Sequence, residues 1–313
     1  MIDIQIARHS GFCFGVREAI NKATEGAASS SLPTRTYGPL IHNPQEIDRL
    51  KKDYGIEPIR DLDEYKEGNL VIRAHGVPPE DYIRAHVNDL NIVDATCRFV
   101  KDVQDYAVEF CRRGCELFVV GDEMHAEVSG IVGHAHHEVA DCTIYVVSDL
   151  EQIIEKRPLR PAIVFQTTQE FTKFKKIEQY IKSNGLKWKI RNTICGATRS
   201  NQYAADELAR MVDLMLVVGG RNSGNTKRLA EICARHVRTE HVETADELKP
   251  EWFSGIGKVG ITAGASTPQW LIDDVIERIE EIDKALEEAI SAMSRRSNEW
   301  KAMSNESKGW RMI

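Results

Sequence analysis

The stretch Ala7–Val16, ARHSGFCFGV, follows the apolar run IDIQIA and leads into an amphipathic segment that begins near Val16. It reads as a strand, a glycine-flanked loop carrying Cys13, and a helix. Gly11 and Gly15 let the backbone turn sharply and let another group approach the thiol. The N–H groups and positive dipole end of the helix behind it favour thiolate, so the position predicts a ligand or nucleophile with a lowered pKa. The arrangement recurs twice. LNIVDATCRFVKDV sets Cys97 between a strand and a helix, and WKIRNTICGATRSNQ does the same for Cys195. The intervals, 84 and then 98 residues, are too long for a solenoid repeat. They suit three similar α/β units around a shared centre.

Strand-like and helix-like segments alternate through most of the chain, which is the pattern of α/β architecture with parallel sheets. Apolar β-rich runs occur at IDIQIA, NLVIRAHG, LNIVDAT, ELFVVGD, TIYVVS, PAIVFQTT, LMLVVGG, HVET and KVGITAG. Amphipathic stretches such as 17–26, 101–113, 170–182 and 202–211 separate them. Polar groups follow each cysteine at strand ends: His42 and His75; His125, Glu127 and Thr167; Asn222, Ser223, Asn225 and Ser266. The carboxyl edge of a parallel sheet is where ligands bind.

Composition narrows the function. The 313 residues carry 42% apolar and 28% charged side chains, ordinary for a soluble globular protein. A net charge of -7 argues against nucleic-acid binding. No apolar run approaches the roughly 20 residues needed to span a bilayer, and the N-terminal stretch does not read as a signal peptide. Seven widely spaced cysteines do not look like a disulfide framework, so a reducing cytoplasm is expected.

The chain has no CxxC pair, as a closed zinc site would want. A [4Fe–4S] cluster is normally held by four thiolates, and three would leave one iron open to substrate. Three unrelated buried cysteines is the plainer alternative. Cys111, Cys115, Cys142 and Cys233 read as structural. His42, His75 and His125, with Ser and Asn donors and helix starts at Asn225 and Ser266, point to an anion. Glu127 is placed as a proton donor beside it, with Thr167 to hold the carboxyl group or pass a proton. His134, His136 and His137 form a weaker metal candidate without HExxH spacing. GGRNSGNT (219–226) approximates a P-loop but has Asn225 at the lysine position.

Together GFCFGV (11–16), HN (42–43), AHGV (74–77), DATC (94–97), HAEVSG (125–130), QTT (166–168), Ile194-Cys195 with Ala197-Thr198, NSGN (222–225) and TAGAS (262–266) resemble the 4-hydroxy-3-methylbut-2-enyl diphosphate reductase family. The resemblance runs in order from residue 11 to about 285. It implies three α/β domains in a pseudo-threefold trefoil around a [4Fe–4S] cluster on Cys13, Cys97 and Cys195. It also implies reductive dehydroxylation of an allylic diphosphate to isopentenyl and dimethylallyl diphosphate, with two electrons and two protons. His42, His75, His125, Thr167, Ser223, Gly224, Asn225 and Ser266 would hold the substrate, and Glu127 and Thr167 would deliver protons. An external electron donor such as ferredoxin or flavodoxin is expected, and neither nucleic acid nor membrane is a partner. Gly224 stands where the family often has a second serine. Asp122 and Glu123 add acids near the cradle, which Arg98 and Arg199 offset.

The units are drawn as 14–96, 97–194, and 1–13 with 195–285. Residues 286–313 make a helix end and a tail, read as loosely ordered, with Trp300 and Trp310 available for docking. Two other functions compete. One is a cluster-bearing sensor on the same scaffold; the other is a zinc hydrolase using His125, Glu127 and the later histidines.

Overall fold

The computed structural model describes residues 1–306, with side chains described through residue 298. The chain opens with β1 (Asp3–Ile6) and α1 (Phe14–Ala28), then β2 (Thr34–Tyr37), α2 (Pro44–Tyr54), β3 (Glu57–Ile59), β4 (Asn69–Ile72), α3 (Pro79–Val87) and β5 (Asn91–Asp94). Next come α4 (Arg98–Arg112), β6 (Glu116–Val120), α5 (Ala126–Glu138), β7 (Ile144–Val147), α6 (Leu150–Glu155), β8 (Pro161–Phe165), α7 (Phe171–Ser183) and β9 (Lys189–Ile190). The last elements are α8 (Gly196–Ala209), β10 (Leu214–Val218), α9 (Gly224–Cys233), β11 (Thr239–Val242), β12 (Lys258–Ala263) and α10 (Gln269–Glu306).

The described strands form three four-stranded sheets ordered β3-β2-β4-β5, β7-β6-β8-β9 and β11-β10-β12-β1. Every pairing is parallel. The expected α/β class is therefore what the chain adopts, and three sheets of like order agree with a pseudo-threefold arrangement. Helices cover both faces of a parallel sheet, so its central strands read as unbroken apolar runs. PAIVF and LMLVV are accordingly buried at every position.

The sheets are joined by a hand-over. β5 closes the first sheet, and α4, which follows it, buries Val103, Ala107 and Phe110 against Leu117, Val119 and Val164 of the second. β9 closes the second sheet, and α8 buries Ala204, Ala205 and Leu208 against Met215 and Val217 of the third. β1 closes the third sheet, and α1 buries Val16, Ala19, Ile20 and Ala23 against Val71 of the first. Each of the three cysteines lies at one of these crossings. Register aligns the neighbouring central strand ends: Tyr37 pairs with Ile72, Val120 with Phe165 and Val218 with Ala263. The loops that follow therefore start side by side.

Some elements depart from expectation. β2 (TRTY) and β3 (EPI) are strands although neither carries an apolar run; they are short, and pairing of β2 with β4 and of β3 with β2 supplies what their composition lacks. Cys111 and Cys142, read as structural, form a disulfide with each other, although the cysteine spacing does not look like a disulfide framework. It joins the last turn of α4 to the segment before β7, two places that meet only in the folded unit. Cys115 and Cys233 are buried free thiols. α10 continues to Glu306, well into the stretch expected to be loose. The Trp300 side chain and Trp310 lie outside the described residues. Among the described residues no helix is long and apolar enough to cross a membrane.

Gly260 of β12 lies against Met215, Val212 and Leu208, and a Cβ there would collide with the Met215 sulfur. Gly260→Ala overpacks the third sheet and is expected to cost about 1–3 kcal/mol. Thermal and urea melts check this; an unchanged midpoint would mean that the sheet relaxes freely around the added methyl.

Candidate active site

Cys13, Cys97 and Cys195 are the N-cap residues of α1, α4 and α8, and none uses its side chain to cap. All three line one cavity. A Cβ on Gly15 would fall 2.5 Å from Cys97 Sγ, so only glycine lets α1 come this close to the second sulfur. Burial pushes the Cys97 thiol up to about 11, against backbone N–H groups of Phe99 and Val100 that favour thiolate. Burial likewise raises Cys195. The expected lowering by helix N-termini is thus outweighed by desolvation, reinforced by the other sulfurs. Crowded buried thiols without a cation suit a metal centre, whose positive charge replaces their protons. Among the described residues no fourth sulfur joins them, since Cys115 contacts Lys189 and Cys233 contacts the Ala205 carbonyl.

On another side of the cavity stand three imidazoles. The His42, His75 and His125 ring centroids are 4.1, 5.2 and 5.4 Å apart, and a ligand nitrogen of each lies within 4.8 Å of the others. His42 follows β2, His75 follows β4, and His125 caps α5 after β6. His125 Nδ1 accepts the Glu127 N–H at 3.2 Å, which leaves Nε2 of the neutral ring as a donor. Burial lowers His42 and His125 to about 4, with help from His125's charge at His42 and from Arg228 and Arg73 at His125; Asp122 opposes at His125. Burial and the neighbouring histidines hold His75 well below its usual value. The rings are neutral at pH 7. Both His42 nitrogens, His75 Nδ1 and both side-chain atoms of Asn225 are buried without a partner. Buried polar groups are normally satisfied, so these atoms mark where a polar ligand fits.

Ser223 caps α9 by accepting the Thr226 N–H at 3.3 Å, which leaves its hydroxyl proton free to donate. Ser266, after β12, donates to the His42 carbonyl at 3.1 Å. A Cβ on Gly220 would lie 2.6 Å from the same carbonyl, so the loops of the first and third sheets are in direct contact here.

Glu127, in the first turn of α5, is 1% exposed. Its Oε1 accepts the Thr167 N–H at 2.5 Å and its Oε2 accepts the Thr167 hydroxyl at 2.8 Å. Burial nevertheless raises its pKa to about 7, over the lowering by these bonds and by Arg228. The carboxyl therefore keeps a proton to lend near neutrality, as a general acid needs.

The structure brings Cys13, Cys97, Cys195, His42, His75, His125, Glu127, Thr167, Ser223, Gly224, Asn225 and Ser266 around one cavity. It does not bring His134, His136 or His137 there: His134 faces the Val77 carbonyl, His136 the Cys142 carbonyl and His137 the Glu80 carboxylate. Asn222 is exposed. Thr168 also lines the cavity, and Arg73 and Arg228 act on the histidines by charge. None of these three was singled out in the sequence. The two arginines sit in helix or strand-end segments, where they look like ordinary surface charges.

The family described as LytB protein matches residues 4–280. The chain is 45% identical over 285 residues to the 4-hydroxy-3-methylbut-2-enyl diphosphate reductase of Geobacter metallireducens, covering 91% of this chain and 99% of that one. It is 44% identical over 285 residues to the reductase of the same name in Aquifex aeolicus, covering 90% and 97%. A solved structure of (E)-4-hydroxy-3-methyl-but-2-enyl diphosphate reductase, the terminal enzyme of the non-mevalonate pathway, is similar with a TM-score of 0.65 at 44% identity, covering 90% of this chain and 100% of that one. The E-1-hydroxy-2-methyl-but-2-enyl-4-diphosphate reductase of Plasmodium falciparum gives a TM-score of 0.81 at 25% identity, covering 88% and 87%.

Glu127 also gives the site a stability signature. Its folded pKa of about 7 lies above the ordinary 4.5, so its contribution is fully present below about pH 4.5 and is lost as pH rises through 7. Glu127→Gln has no proton to lose. Its melting temperature is expected to gain on that of the unsubstituted protein between pH 5 and pH 8. A constant difference across that range would remove the buried-proton account.

Proposed function

The chain belongs to the LytB protein family, and we propose that it converts 4-hydroxy-3-methylbut-2-enyl diphosphate to isopentenyl and dimethylallyl diphosphate. The allylic hydroxyl leaves as water, with two electrons and two protons taken up. The observation that carries this reading is one cavity holding three convergent thiols, three neutral histidines with unpartnered nitrogens, and a buried carboxyl group that is half-protonated near neutrality. Cys13, Cys97 and Cys195 would hold a [4Fe–4S] cluster, which would supply electron transfer and Lewis-acid chemistry to the site.

The chain's own residues do the rest. His42, His75, His125, Ser223, Asn225 and Ser266 surround the diphosphate with donors. The N–H groups of Gly224 and Asn225 open α9 and have no intrahelical acceptor, which suits a phosphate oxygen. A bound anion raises the pKa of the neutral imidazoles, so binding takes up protons and strengthens as pH falls. Glu127 gives a proton to the departing hydroxyl. Thr167 fixes the carboxyl through two hydrogen bonds and serves as its relay.

In the same reading the chain divides into 14–96, 97–194, and 1–13 with 195–285, closed by 286–313. It works in the cytoplasm with an external ferredoxin or flavodoxin as electron donor. A second reading rests on the nitrogens of His42, His75 and His125, which are near enough to one another for a divalent cation. The anion is preferred because hydroxyl and amide groups, poor zinc ligands, share the cavity with them.

The test is anaerobic purification, iron and sulfide analysis, and turnover of the allylic diphosphate with a chemical reductant. About four irons per chain and both five-carbon diphosphates are expected; zinc without iron would overturn the reading. Cys→Ser at 13, 97 or 195 should lower the iron content. Glu127→Gln should keep iron and substrate binding but lose about 100-fold or more in kcat, and an unchanged kcat would take Glu127 out of the mechanism.

A further inference from the structure

A second cavity adjoins the anion cradle, lined by Asp122, Met124, Lys227 and Arg228 and sharing His125 and Gly224 with the first. Arg228 of α9 is 8% exposed. Its Nη2 donates to both carboxylate oxygens of Asp122 at 3.0 and 2.9 Å, across 106 residues of sequence. Its Nε donates to Gln169 Oε1 at 3.0 Å. The guanidinium plane is therefore fixed at two points, both on the second unit: Asp122 after β6 and Gln169 after β8. Nη1 forms no hydrogen bond among the described residues. It rests against Gly224, where a Cβ would fall 2.8 Å away.

Gly224 is helical and needs no left-handed backbone. A side chain there would meet Nη1 first, and either it or the guanidinium would have to shift. The same residue is the first of α9 and lines the main cavity, and Thr168 of that cavity lies 3.9 Å from the position its Cβ would take. The free edge of a buried arginine thus stands at the wall between the two cavities, with one glycine between it and the anion site.

We propose that Arg228 is a further anion-binding residue: Nη1 reaches past Gly224 to a phosphate oxygen, while Asp122 and Gln169 hold the guanidinium plane. This rests on the diphosphate reading of the cradle. Arginine supplies a charged donor with fixed geometry. Asp122 has the opposite charge effect on the ligand, since its carboxylate is partly exposed beside the same wall.

The experiment is calorimetric titration of inorganic diphosphate into the full-length, anaerobically prepared protein at pH 7 and two salt concentrations. Arg228→Met should weaken binding about tenfold or more, the size of one charged hydrogen bond, and should reduce the salt dependence. Arg228→Lys should recover part of both. Gly224→Ala leaves every charge in place but displaces Nη1, so it should weaken binding even if Arg228→Met folds poorly. Asp122→Asn keeps an amide oxygen to accept from Nη2, with Gln169 still on Nε, and removes a competing negative charge, so it should bind at least as tightly as the unsubstituted protein. Equal binding by Arg228→Met, or equal weakening by Arg228→Met and Asp122→Asn, would overturn the proposal and leave Arg228 a purely structural tie. An unsubstituted protein that binds neither inorganic diphosphate nor the allylic diphosphate would instead overturn the reading beneath it.

Discussion

Parallel pairing forces every strand of a sheet to end on the same edge, and in this chain the connection between sheets also starts there. The edge strands β5, β9 and β1 each lead through a short connection to a cysteine, and the helix after that cysteine is bound to a different sheet by its apolar stripe. The position of each sulfur is therefore set by two large hydrophobic contacts, one on either side of it, and not by a loop. Moving one thiol means sliding a helix such as α4, with Val103, Ala107 and Phe110 fully or nearly buried, across the sheet that receives it. Burial of that kind is the dominant favourable term in folding, so the three sulfurs are as well fixed as the cores themselves.

The central strands fill in the remaining positions by the same rule. After the first central strands come His42, His125 and Ser223; after the second come His75, Thr167 and Ser266. The site is thus a repeated backbone plan carrying different side chains. One unit contributes imidazoles, the next an imidazole with a carboxyl group and a hydroxyl, and the third hydroxyls, an amide and a helix start. The electrostatics follow from enclosure. Burial neutralises the histidines and lets Glu127 keep its proton, and it leaves ring nitrogens and the Asn225 amide unpartnered. Unsatisfied buried groups cost stability, and the His42, His75 and Asn225 atoms carry part of that cost in the cavity.

Much of this was legible in the sequence because it was written in local pattern. The strand–Cys–helix motif around Cys13 shows itself in ten residues, and apolar runs such as LMLVVGG report strands buried on both faces. What was not legible depends on distant partners. TRTY is a strand because β4 pairs with it, and nothing in its own four residues says so. The Cys111–Cys142 bond needs the end of α4 beside the segment before β7. The helix-start effect on the thiols was read with the right sign for an exposed helix end, but the depth of the cavity reverses the outcome at Cys97. Arg228 was missed since its role comes from Asp122, on another unit, and from the absence of a side chain at Gly224.

The place of β1 in the third sheet bears on how the molecule is made. Asp3 pairs with Lys258 and Ile6 with Ile261, at the far end of the chain, while α1, directly after them, is packed on the first sheet. A chain leaving the ribosome N-terminus first can complete its first two sheets as their strands emerge. The opening strand has no neighbour until β12 has been synthesised. Cys13, the earliest of the three sulfurs in sequence, is held on its helix side by the first sheet, but its strand side is fixed only when β12 arrives. A nascent chain truncated before β12 would hold Cys13 from the helix side alone.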